Sequence, residues 1–137
     1  MIPGARRQVI EPSAEVNRLT GEVIGAAIEV HRVLGPGLLE SVYEEALCVE
    51  LALRNIPFVR QPSVDLSYKG HPIGKGRLDL LVDNALVVEL KSVETLTAVH
   101  KAQLISYLKT TGYSLGLLIN FNVPVLKDGI VRTVLSP

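Results

Sequence analysis
Apolar and polar positions follow two different periods along this chain. Over residues 13–34, Val16, Leu19, Val23, Ala27, Val30 and Leu34 recur at intervals of three and four, which predicts a helix. Ser13 stands where its N-cap is needed, and Gly35-Pro36-Gly37 stops it. A second helix is predicted over residues 38–54, with Leu39, Val42, Ala46, Val49 and Leu53 on one face, Asn55 at its end and Pro57 beyond. The period then becomes two. Residues 64–68 alternate, Lys69-Gly70 offers a turn, and a longer strand runs over residues 71–82 with Gly74 and Gly76 as bulge or bend points.

Asp83-Asn84 marks the next turn and residues 85–91 the next strand. Thr97 can cap a third helix that ends at Gly112; residues 115–121 read as a buried strand and residues 130–135 as an edge strand. The order is α-α-β-β-β-α-β-β, an α/β class. The β-α-β unit across the third helix implies a parallel pair, and a mixed sheet flanked by helices is the economical architecture. Residues 1–12 hold two prolines and a glycine without periodicity and read as a loose tail, leaving residues 13–137 as one domain.

Composition narrows the classes. With 47% apolar and 20% charged residues the chain is globular. No Trp and only two Phe make its core aliphatic. A mean hydropathy of +0.31 is high for a domain of this size and points to a homodimer, through the edge strand near residues 130–135 or an exposed face of the first helix. Fourteen basic and fourteen acidic side chains cancel, which argues against tight non-specific binding to long duplexes. The single Cys48 excludes an internal disulfide and fits a reducing compartment. No apolar run approaches the ~20 residues of a membrane span, and the first residues lack the apolar stretch of a secretory signal. A cytoplasmic location is expected.

The chemistry concentrates in residues 77–91. Two strands that are apolar at nearly every position, as central strands are, carry Asp79, Glu89 and Lys91. Glu89 and Lys91 are two apart and share a side of the sheet. Buried carboxylates are costly unless paired or bound to a cation. Two hard oxygen donors suit Mg²⁺, with Mn²⁺ as a substitute, and a neighbouring lysine can orient a nucleophilic water or stabilise negative charge building on a phosphorane-like oxygen. The competing reading is a structural ion pair on an exposed strand, whose solvated face would alternate with polar residues. A strict two-residue turn at Asp83-Asn84 would put Asp79 and Glu89 on opposite faces. A metal site therefore requires a three-residue loop or a bulge, with Asp79 across from Glu89.

Asp79, nine intervening residues and Glu89-x-Lys91 resemble the core motif of the PD-(D/E)XK nuclease superfamily, with Leu78 in place of its proline. Gln103-Leu-Ile-Ser-Tyr107 is similar to the QxxxY motif of the RecB-like branch, and Gly37-Leu-Leu-Glu40-Ser-Val-Tyr43 to the signature of the small GxxExxY proteins. The likeness covers roughly residues 15–135. It implies a Mg²⁺-dependent nuclease acting on DNA or RNA, with catalytic Asp79, Glu89, Lys91 and Gln103, and with Glu40 as a further metal ligand beside Asp79 and Glu89.

Glu40, Tyr43 and Glu44 share one side of the second helix, although Glu40 in a first turn can merely favour the helix dipole. Tyr43 reads as a packing residue with its hydroxyl at the site's edge. His100, Gln103 and Tyr107 share a face of the third helix. There Gln103 can hold Lys91 or a phosphate, Tyr107 can do the same or stack on a base, and His100 stands behind them. His31 and Cys48 read as core residues, and His71 as exposed. No GxxxxGK[ST] phosphate loop exists. The rival class is a non-catalytic nucleic-acid or protein interaction module that keeps the nuclease fold; a third reading gives the metal site to a small phosphorylated ligand.

Overall fold
A computed structural model describes residues 12–135. The tail expected over residues 1–12 lies, Pro12 apart, outside the described residues. Helices α1 (Ala14–Leu34) and α2 (Glu40–Leu53) come first. Strands β1 (Phe58–Arg60), β2 (Ser63–Tyr68), β3 (His71–Arg77), β4 (Leu80–Val82) and β5 (Leu86–Lys91) follow. The chain ends with α3 (Ala98–Thr111), β6 (Leu115–Asn120), a 3₁₀ turn at Leu126–Gly129 and β7 (Ile130–Val134). The main sheet has the order β1-β4-β5-β6-β7, and β2 and β3 form a separate two-stranded sheet.

The caps form as their chemistry requires. Ser13 Oγ accepts from Val16 N at 3.2 Å, and Thr97 Oγ1 from His100 N at 3.3 Å. Gly112 closes α3 in the left-handed region at φ 82°. Strands β5 and β6 pair in parallel across α3, while β4 and β7 flank them antiparallel. All six residues of β6 and five of the six in β5 are buried, as in a sheet covered on both faces. One core joins α1 and α2 to Leu80, Val88, Leu90 and Leu117; a smaller one joins Leu104 and Leu108 of α3 to Val87, Leu118 and Val64. Glu89 therefore belongs to the α3 face, since its neighbours Val88 and Leu90 point the other way.

Three sequence expectations change. The long strand over residues 71–82 is two strands, because the chain leaves one sheet for the other at Leu78-Asp79. There Leu78 N donates to Pro62 O and Gln61 N to Asp79 O, at 3.1 and 2.8 Å. Strand β1 went unforeseen, since three residues carry no measurable period. On α2, the side carrying Leu39, Val42, Val49 and Leu53 faces solvent, and Tyr43, Glu44, Leu47, Cys48 and Leu51 are buried instead. The two stripes lie on opposite sides of the helix, and only docking against α1 and the sheet selects between them.

Candidate metal centre
The hairpin between β4 and β5 sets the site. Asp83 and Asn84 both take left-handed backbone, at φ 50° and 51°, and Ala85 N donates to Val82 O at 3.0 Å. Val82 nonetheless pairs with Leu86, so the loop has three residues, and Leu80 lies opposite Val88. Continuing that register brings Asp79 opposite Glu89, the arrangement a metal site requires. Strand β4 begins only at Leu80, so Leu90 N finds no strand carbonyl there; Asp79 Oδ2 accepts from it at 2.7 Å.

Glu89 is 4% exposed, and its Oε1 is buried without a hydrogen-bond partner. Burial first, then the charge of Asp79 and a hydrogen bond with its carboxyl, push the Glu89 pKa up to about 9. Without a cation, Glu89 thus keeps its proton at neutral pH. An orphaned, buried carboxylate oxygen beside a second carboxylate fits a divalent metal, which would supply the missing charge and ligand demand together. Glu40 lines the same cleft as Asp79. Its pKa is raised chiefly by burial, with Asp79 and Glu44 adding to the rise and Lys91 opposing it. Among the described residues, however, no three His, Cys, Asp or Glu side chains converge as a metal cluster. Glu40 lines the cleft without joining such a cluster.

Lys91, half-buried on the same side of β5, donates from Nζ to Gln103 Oε1 at 3.2 Å. Gln103 thus holds the lysine. The other candidates on these helices make structural contacts. His100 Nδ1 accepts from Thr97 N at 3.0 Å and completes the cap of α3. Tyr107 lies against β3, where a side chain at Gly76 would meet its ring at 3.0 Å; the glycine admits the aromatic ring. Tyr43 is fully buried and stacks on Phe121 with ring centroids 4.5 Å apart. Its hydroxyl donates to Gly35 O at 2.5 Å and accepts from Leu38 N at 3.1 Å, so it pins the loop before α2. His31 is a core histidine, its Nε2 donating to Val123 O at 2.7 Å; Cys48 is buried, and His71 is exposed.

Further side chains tie the elements around the site to one another. Ser92 Oγ donates to Leu38 O at 2.6 Å and ties the α2 loop to the end of β5. Asn120, opposite Lys91 in the parallel ladder, accepts from Val93 N and donates to Val93 O, at 3.0 and 2.9 Å. Glu44 accepts from Arg60 Nε and Gln61 Nε2, both at 2.8 Å.

No curated protein and no solved structure matches the chain. A family model described as the PD-(D/E)XK nuclease superfamily matches residues 17–133, a span that contains both carboxylates, Lys91 and Gln103. With a five-stranded mixed sheet between helices and the acid pair set beside a lysine on its central hairpin, the chain belongs to the PD-(D/E)XK nuclease superfamily.

Proposed function
We propose that the chain is a Mg²⁺-dependent nuclease that hydrolyses phosphodiester bonds in DNA or RNA, within the QxxxY and GxxExxY branch its helical motifs resemble. The observation that carries this reading is the unpartnered Oε1 of buried Glu89 beside Asp79. Asp79 and Glu89 would hold the cation, with Glu40 reaching it directly or through water. When bound, the cation neutralises the carboxylates and polarises a phosphate oxygen. Lys91 contributes a positive charge where negative charge grows on the phosphate oxygens in the transition state, and Gln103 keeps its ammonium in place.

Asp79→Asn and Glu89→Gln should each abolish the rise in melting temperature that Mg²⁺ gives the wild type. Lys91→Ala should keep that rise yet lose most oligonucleotide cleavage, because its work is done in the transition state. Gln103→Ala should lose less. Thermal melts and gel assays on labelled DNA and RNA decide the matter, and absence of any Mg²⁺-linked stabilisation rejects the metal assignment. Neutral net charge favours the second reading, a non-catalytic interaction module. Mg²⁺ binding without cleavage of single-stranded, duplex or flapped substrates would select it.

A further inference from the structure
The outer face of β3 carries two cations in unequal circumstances. The side of Gly76 that would bear a side chain faces Tyr107 of α3. Its neighbours Lys75 and Arg77 therefore point away from α3, by the two-residue period of a strand. Lys75 pairs in the ladder with Asp65 and donates from Nζ to Asp65 Oδ1 at 2.6 Å. Opposite Arg77 the ladder places Ser63, which has no charge to offer. Among the described residues Arg77 forms no ion pair, while Arg32, Arg54, Arg60 and Lys75 all do. Arg77 instead lines, with Asp79, Glu40 and Ser41, a cleft of about 400 Å³.

Backbone pairing fixes where that guanidinium hangs. Arg77 is the last residue of β3, and the two residues after it are bound through Leu78 N to Pro62 O and Gln61 N to Asp79 O. Its Cα is thus held by a ladder on one side and by the strand crossing on the other. The acid pair needs a cation for itself and Lys91 answers the single charge of the phosphate presented there, so the next phosphate along a strand needs a cation of its own. A planar guanidinium that is unpaired, exposed and two residues from Asp79 matches the second phosphate of such a strand, which it can grip by two parallel hydrogen bonds.

We propose that Arg77 binds the phosphate next to the one presented to Asp79 and Glu89, so that the cleft between β3 and the start of α2 is the entrance for the backbone of a nucleic-acid strand. This rests on the nuclease reading and adds to it a route and a contact. Arg77 acts by binding, and it belongs neither to the metal ligands nor to the groups that stabilise the transition state.

The test separates the two readings by measuring binding without cleavage. In a Lys91→Ala background with Mg²⁺ present, fluorescence anisotropy follows labelled single-stranded and duplex oligonucleotides at several salt concentrations. Adding Arg77→Ala should weaken binding roughly tenfold or more and lower the salt slope by about one, with the Mg²⁺-induced rise in melting temperature unchanged. Arg77→Lys should keep the slope at an intermediate affinity. An unchanged affinity and slope in Arg77→Ala overturn this inference and leave the nuclease reading standing. A parent that binds neither oligonucleotide overturns both. Arg77-dependent binding by a wild-type chain that never cleaves supports the contact while removing the nuclease.

Discussion
Glu89 and Asp79 form a pair whose charge depends on what fills the space between them. In the folded, metal-free chain Glu89 keeps its proton up to a pH of about 9, whereas an ordinary glutamate releases it near 4.5. Between those values the folded state holds a proton that the unfolded chain has lost, so stability falls as pH rises. The contribution is fully present below the unfolded value and gone above the folded one. The melting temperature of the metal-free protein should accordingly decline across that window, and Glu89→Gln should flatten the decline. Metal must displace the same proton, so the Mg²⁺-induced stabilisation should grow with pH over the same range. A calorimetric titration in buffers of different ionisation enthalpy should detect the released proton. Mg²⁺ binding that is independent of pH across this window counts against a protonated Glu89.

Elements reach the site by being tied to one another. The start of α2 has no side-chain cap, and its approach is set by the loop that Tyr43 and Ser92 hold. Losing the Tyr43 hydroxyl leaves Gly35 O and Leu38 N without their partner in a part-buried setting. Tyr43→Phe should cost about 1–3 kcal/mol of stability by urea denaturation. It should also blunt any contribution of Glu40, three residues earlier on the same helix, while leaving the Asp79–Glu89 centre able to bind metal. A variant as stable as the parent would show that water replaces the hydroxyl at little cost. The hairpin of β2 and β3 is tied in a comparable way, through the contact of Tyr107 with Gly76, and this is what holds Arg77 over the cleft.

Taken whole, the molecule leaves an apolar stripe uncovered. Leu39, Val42, Val49 and Leu53 on α2 are 73%, 41%, 53% and 73% exposed. With Ala46 they follow a three-four repeat over the length of the helix, the spacing by which one helix meets another. Exposed apolar side chains thus gather on the second helix, and Ile28, Val33 and Leu34 add to them on the first, one of the two surfaces expected to carry the high hydropathy. A second copy covering this face should give twice the chain mass by light scattering at high protein concentration, and Val49→Glu should return the mass to that of one chain. A single-chain mass for the wild type under those conditions rules the dimer out. No described helix is long and apolar enough to cross a membrane, so a bilayer-spanning helix does not account for the stripe.

Local chemistry was legible wherever one residue's preference decides the outcome. Ser13 and Thr97 as caps, Gly112 as a helix end and the buried run of β6 all follow from neighbours a few positions apart. The acid pair and Lys91 stood out because charges interrupted an apolar hairpin, and the need for a three-residue loop followed from strand parity alone. Four features depended on contacts distant in sequence. Packing against α1 and the sheet chose which stripe of α2 to bury. The crossing between sheets divided the strand at Leu78-Asp79. Phe121 supplied the stacking partner of Tyr43, which the sequence had shown as a packing residue without saying against what. Among the described residues Arg77 was left without an ion pair, the ladder having set a serine opposite it. Periodicity reports that a residue shares a face with its neighbours, and only the folded chain determines what that face meets.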